Sequence, residues 1–232
     1  MGAMNYHEAL KSNNILKTIL VICIMLIVSV WVIYRPLAWP LGKETAFCLL
    51  SLILISAILF ILWTKEKILI SDQQKKNVAF GLCFGLFWTI EISINNIIRP
   101  GLPFRDLIDN IFWAFIAISI LVTAAYYAFN SNMIVEGIKS GFWSGLASGA
   151  VACLTALLMI VFGMKFILLD PLNIKEWSDL KESSGYSGMS VYFAYQTFAG
   201  ALGHLFVLGI VMGVILGTIG GLFGKIGRRL LS

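Results

Sequence analysis

Charged residues are scarce in this sequence. Asp, Glu, Lys and Arg make up 12% of its 232 residues, whereas an average soluble domain carries about 25%. Apolar residues account for 59% of the chain and give it a mean hydropathy of +0.90. This composition excludes an ordinary soluble domain. It also leaves no basic soluble surface of the kind that binds nucleic acid, so we attribute the net charge of +5 to topology and lipid contact and expect no nucleic-acid partner.

Residue types that build chemical sites are also rare. The four cysteines lie far apart within apolar stretches, so they predict neither a disulfide framework nor a thiolate metal site. The sequence contains neither an HExxH motif nor a glycine-rich phosphate-binding loop. We therefore expect no metal and no cofactor.

An enzyme is the function class that these absences disfavour most. Ser148 and His204 could serve as a nucleophile and its base, but the topology derived below places them in opposite halves of the membrane. An intramembrane enzyme with Glu91 or His204 as general base is kept as a third hypothesis.

The sequence contains six long apolar blocks. They cover residues 15–34, 45–64, 77–98, 107–129, 139–163 and 197–224. A helix needs about 20 apolar residues to cross a bilayer core about 30 Å thick, and the blocks are continuous, as in helices, rather than alternating, as in barrel strands. The sequence therefore predicts an all-α integral membrane protein. Its six transmembrane helices form a polytopic bundle and a single transmembrane domain over residues 1–232.

The one long connection, residues 164–196, predicts a short interfacial helix on the outer side. Asp170 is a suitable N-cap for this helix, and Pro171 fits the first helical position. A flexible Ser/Gly turn is expected to follow the helix.

Basic residues predict the orientation of the chain. Six spans put both termini on one side, and the densest basic clusters, KEK, QKK and GRR, all lie on that side. Since basic loops stay in the cytoplasm, we expect a bacterial-type inner membrane protein whose N and C termini are both cytoplasmic. We expect the first block to be a retained anchor, because it runs into SVWVIYRPLAWP without a cleavage site.

Two rows of glycine at four-residue spacing lie in the fifth and sixth blocks. The first row is Gly137, Gly141, Gly145 and Gly149, and the second is Gly209, Gly213, Gly217 and Gly221. Glycine lets helix backbones approach closely in lipid, where van der Waals packing is gained. Both rows fall in the inner half of the membrane, so we expect them to pack together in one antiparallel hairpin. The alternative is that one row packs against another protomer.

Polar side chains gather at the outer end of the third block, in GLFWTIEISINNIIRP. Glu91, Asn95 and Arg99 follow at four-residue spacing and share one helix face. Intramembrane ionisable residues are costly and usually functional. Neighbouring segments add groups at the same depth, and the predicted outward-facing pocket comprises Glu91, Asn95, Asn96, Arg99, Arg105, Asp109, Asn110, Gln196 and His204.

Two main hypotheses for function follow from this pocket and the glycine rows. The first is a channel or secondary transporter that moves an ion or small polar solute through the polar pocket. The alternative is a non-catalytic membrane subunit that assembles through its glycine rows into a homo-oligomer or a larger membrane complex. A purely structural role, in which Glu91 pairs with Arg99 or His204 to fix helix register, is open as well.

Overall fold

The computed structural model describes residues 6–34, 43–64, 71–98, 104–181 and 183–231. Within these ranges the chain forms eight helices and no strand, which confirms the predicted all-α bundle. The helices are α1 (Tyr6–Tyr34), α2 (Lys43–Thr64), α3 (Asp72–Ile98), α4 (Arg105–Ser131), α5 (Ile134–Phe162), α6 (Met164–Leu169), α7 (Pro171–Leu180) and α8 (Met189–Leu231).

Six of these helices are long and apolar enough to cross a membrane: α1, α2, α3, α4, α5 and α8. They correspond to the six predicted blocks, and most extend beyond them. The predicted outer connection of residues 164–196 is shorter than expected, because α8 begins at Met189 and α6 fills the segment after α5. The short outer helix is α7, and its predicted cap is confirmed: the Asp170 carboxylate accepts a hydrogen bond from the Leu172 N–H over 2.9 Å.

α5 occupies the centre of the bundle. In its most apolar stretch 72% of the residues are buried inside the protein, against 17–39% in the other five long helices. Many of its buried residues are Gly, Ala or Ser, whose small side chains allow α1, α3, α4 and α8 to pack directly around it. The composition of α5 therefore determines which helix is surrounded by protein.

The two glycine rows face each other between α5 and α8. A Cβ atom added to Gly137 would lie 2.6 Å from Gly221 Cα, and one added to Gly149 would lie 2.9 Å from Gly209 Cα. The order of these pairs makes the two helices antiparallel. Backbone therefore contacts backbone along the rows, and each row is covered by the other within one chain.

The pairing also defines two ends of the bundle. We call the end that holds Gly137 and Gly221 the termini side, because α1 starts there and α8 ends there, and the opposite end the outer end. α1 is aligned with α3 by the Ser12 hydroxyl, which donates a hydrogen bond to the Lys75 carbonyl over 3.0 Å. α3 runs parallel to α5, since its Gly81 lies opposite Ser144 and its Gly85 lies opposite Val151.

Two long helices contain π-helical segments near the outer end. In α3 the segment is Ile94–Ile98, and in α8 it is Gly203–Val211. A π turn adds residues to the turn and rotates the side chains that follow, and such segments often occur at functional sites. In this protein the first segment contains Asn95 and the second contains His204, so both belong to the region of the predicted pocket.

Candidate functional site

Two acidic side chains meet between α3 and α4 near the outer end. The amide nitrogen Nδ2 of Asn95 donates to Glu91 Oε1 over 2.8 Å and to Asp109 Oδ1 over 2.6 Å. Carboxyl groups that share one donor nitrogen necessarily lie side by side. We call Glu91, Asn95 and Asp109 the carboxylate pair with its bridging amide.

Local helix geometry explains half of this arrangement. Glu91 and Asn95 are four residues apart on α3 and so lie one above the other on one face. Asp109 lies in the second turn of α4, which begins at Arg105 and runs antiparallel to α3. The sequence thus places the Glu91–Asn95 pair, and the packing of α4 against α3 supplies the third member.

The members of the site differ in exposure. Glu91 and Asn95 are buried, with 8% and 5% of their surface exposed. Asp109 is half-buried, and its neighbours Asp106 and Asn110 are exposed. Access from the outer end therefore reaches Asp109 first and Glu91 behind it.

Arg105 continues the polar network away from the pair. Its Nη1 atom lies 3.3 Å from Asp170 Oδ2, which is almost completely buried at the corner between α6 and α7. The guanidinium is also close enough to Glu91 to interact with it electrostatically. α3, α4 and the α6–α7 corner are thereby joined by a single set of charged groups.

The charges in this network do not balance within the described residues. Glu91, Asp109 and Asp170 supply three carboxyl groups to it, and Arg105, which pairs with Asp170, supplies one guanidinium. Predicted member Arg99 lies outside the residues that the structure describes. Adjacent carboxylates repel each other strongly where water is sparse, so a positive charge bound between Glu91 and Asp109 would relieve that repulsion.

His204 lies beside aromatic rings rather than in a hydrogen bond with Glu91. Its ring meets that of Trp88 edge to face with centroids 4.9 Å apart, and the Trp113 ring is 6.4 Å away. Its Nδ1 atom is 2.8 Å from the Gly200 carbonyl, one turn earlier on α8. A carbonyl oxygen can only accept, so Nδ1 carries a proton and donates it to Gly200.

These aromatic rings form a layer directly below the carboxylate pair. Trp88 precedes Glu91 by three residues on α3, which places it about 4–5 Å closer to the termini side at 1.5 Å per residue. It is buried and also packs edge to face on Trp113, with centroids 5.1 Å apart. Trp88, Trp113 and His204 thus lie on the side of the pair that faces the middle of the bundle, and Trp113 keeps 42% of its surface exposed.

The remaining predicted pocket residues have other partners. Gln196 donates to Glu176 Oε1 of α7 over 3.1 Å and contacts the Tyr192 hydroxyl, which itself donates to Glu176 over 2.7 Å. Asn96 donates to the Ile92 carbonyl of its own helix over 2.8 Å. Gln196 therefore ties α8 to α7, and Asn96 does not join the network of Glu91.

Several members of the site were missed by sequence reasoning. Asp170 was recognised only as a helix cap, and its bond to Arg105 spans 65 positions of the chain. Trp88 and Trp113 were given no role from the sequence. The one available signal was the spacing of Trp88 and Glu91 at i and i+3, which puts both on neighbouring positions of one helix face.

The chemistry available here is binding of a proton or a cation by oxygen atoms. No group of three or more His, Cys, Asp and Glu side chains that could hold a metal ion is found among the described residues. Comparisons with known proteins supply no further guidance: no protein-family model, no curated protein and no solved structure matches the chain.

Proposed function

We propose that this multi-pass membrane protein moves an ion or small polar solute across the membrane, and that Glu91 and Asp109 bind the proton or cation involved. The observation that supports the proposal is the sharing of the Asn95 amide by two carboxyl groups from different spanning helices. Ionisable side chains within membrane spans usually mark ion pathways and proton relays, because keeping them there is costly.

The surroundings of the pair suit this role. Asp109 is reachable from the outer end, while Trp88, Trp113 and His204 lie on the side facing the middle of the bundle. In the proposal, a proton or cation enters past Asp109, binds between the carboxyl groups, and passes only when the aromatic layer moves. The π-helical segments that contain Asn95 and His204 provide helix turns that can readjust.

The subunit hypothesis has less support in its original form. Assembly through the glycine rows needs at least one row to face a partner, whereas the rows of α5 and α8 contact each other within the chain. A subunit would have to assemble through other surfaces.

The test is ion flux in proteoliposomes under an imposed pH gradient, followed with an enclosed pH-sensitive dye. We expect wild-type protein to carry flux, and Glu91→Gln and Asp109→Asn each to reduce it at least about tenfold while the folded protein is retained, because the amides keep shape and hydrogen bonding but cannot exchange a proton.

Glu136→Gln is the matched control. Glu136 lies in the first turn of α5 on the termini side, where its carboxylate pairs with Lys139 over 2.7 Å. Its replacement removes one carboxylate, as the test variants do. Because Glu136 lies at the opposite end of the bundle from Glu91, flux should stay within about twofold of wild type. Absence of flux from well-folded wild-type protein, with sodium, potassium and proton gradients each imposed in turn, would reject the transport proposal.

A further inference from the structure

An open groove runs between α4 and α8 on the termini side. It consists of two adjoining recesses, of about 360 and 430 Å³, and Phe129 lines both. The first is lined by Val122, Ala125, Tyr126, Phe129, Phe223 and Gly224, and the second by Phe129, Asn130, Arg228 and Leu231. We call the two together the α4–α8 groove.

The apolar part of the groove results from a close helix contact. A Cβ atom on Gly224 would lie 2.8 Å from Phe129 N, so no side chain fills the space above the junction. Tyr126 and Phe223 stand on either side with 49% and 60% of their surface exposed. The result is a trough between aromatic walls, which extends about 10 Å along α4 from Phe129 back to Val122.

The polar part of the groove is positively charged. Arg228 donates from Nη1 to the carbonyls of Phe129 and Asn130 over 3.0 and 2.5 Å, which holds its guanidinium at the C-terminal end of α4. Those bonds use only one of its nitrogens, and a guanidinium carries five N–H donors. Lys225 and Arg229 lie on the same helix end but do not line the groove.

Neither wall of the groove supplies an acidic side chain to Arg228. Neither the α4 stretch 121–131 nor the α8 stretch 212–231 contains an Asp or a Glu. The groove therefore joins an apolar trough, at the depth of the bilayer's acyl region, to a basic end at the level of the headgroups.

We propose that the α4–α8 groove binds an anionic phospholipid from the leaflet on the termini side. An acyl chain lies along Val122, Ala125 and Phe223, and the phosphate is held by Arg228. Charge complementarity selects this occupant, because a wholly apolar partner would offer no anion to Arg228 and a soluble anion would leave the apolar trough unfilled. The inference does not depend on the transport proposal, since the groove is at the opposite end of the bundle from Glu91.

The test is lipid binding by the full chain in detergent, measured by native mass spectrometry. Dioleoyl phosphatidylglycerol is compared with dioleoyl phosphatidylcholine, which has the same chains and phosphate but no net charge. We expect phosphatidylglycerol to bind about tenfold more tightly to wild type. Arg228→Gln should weaken its binding about fivefold, whereas Arg229→Gln, which removes the same charge one residue away from the groove lining, should change it less than twofold.

Two further variants distinguish a loss of lipid binding at the groove from a general loss of folding. Arg228→Lys keeps a cation but not the planar fork and should bind phosphatidylglycerol with intermediate affinity. Val122→Trp narrows the apolar trough and should weaken the binding of both lipids, because it obstructs the acyl chain. Equal affinities of wild type for the two lipids, equal losses in Arg228→Gln and Arg229→Gln, or unchanged binding by Val122→Trp would each overturn the proposal.

Discussion

Glu91 of α3 and Asp109 of α4 accept hydrogen bonds from the same nitrogen atom, although they belong to different membrane-spanning helices. The shared donor, Asn95, is buried, so it cannot be replaced easily by water. The outer ends of α3 and α4 are thus held together by a polar contact whose own charges repel. Under the proposed function, a proton or cation bound between the two carboxyl groups would offset their repulsion.

Replacement of Asn95 by Ala should destabilise the protein by about 1–3 kcal/mol, because both carboxyl groups lose their common donor. Unfolding in detergent, followed by circular dichroism against temperature or denaturant, measures the change. Asn96→Ala is the control: Asn96 bonds only to the Ile92 carbonyl of its own helix, so its loss should cost less than about 0.5 kcal/mol. Equal effects of the two substitutions would contradict a special role for Asn95.

Addition of one methyl group between α5 and α8 should also be costly. In Gly141→Ala the new Cβ would lie 2.5 Å from Gly217 Cα, and backbone atoms cannot rotate away. We expect a loss of about 1–3 kcal/mol in the free energy of unfolding. Gly200→Ala, on α8, adds the same atom where nothing lies within 4 Å, and should be neutral or slightly stabilising. The pairing of the glycine rows would be refuted by a Gly141→Ala protein as stable as wild type.

Asp170 combines two roles that two substitutions can separate. Asp170→Asn removes the ion pair with Arg105 but keeps an N-cap acceptor for α7, whereas Asp170→Ala removes both. The alanine variant should therefore be less stable than the asparagine variant by about 1 kcal/mol. Denaturant unfolding of both proteins measures this difference, and indistinguishable midpoints would mean that the cap contributes nothing.

Orientation in the membrane can be tested by labelling single cysteines in a Cys83→Ser background, which removes the one exposed native thiol among the four. Ser178 is exposed on α7 at the outer end, and Met133 is exposed at the α4–α5 turn on the termini side. With cytoplasmic termini, a membrane-impermeant maleimide should label Ser178→Cys on intact cells and Met133→Cys only after permeabilisation. The reverse pattern would place the termini outside.

The sequence was sufficient to predict the number of spanning helices and the rows of glycine that face each other. Both are periodic features of a single helix, such as the spacing of Gly137 and Gly141 or the length of an apolar block. For Asn95 and Asp109 the sequence predicted only that both lie at the same depth in the membrane. Their contact depends on how α4 packs against α3. The ion pair of Arg105 with Asp170 was not anticipated, since nothing in local sequence relates residues so far apart.

The position of His204 shows a further limit. In a regular α-helix, the position of a residue in the sequence predicts the helix face that its side chain occupies. His204 lies in the π-helical segment Gly203–Val211, where each turn contains more residues and the faces shift. Its ring packs on Trp88 rather than bonding to Glu91. Formation of π turns depends on tertiary packing, so the periodicity of the α8 sequence could not reveal it.

The antiparallel contact of the two glycine rows has a consequence for how the protein is made. The row that begins at Gly137 leaves the ribosome well before the row that ends at Gly221, and at about 5–20 residues per second the interval lasts several seconds. During this interval α5 is already inserted, while the helix that covers its small-residue face has not been synthesised. A chain arrested before Met189 would present this bare face within the lipid, where membrane quality control could recognise it as incomplete.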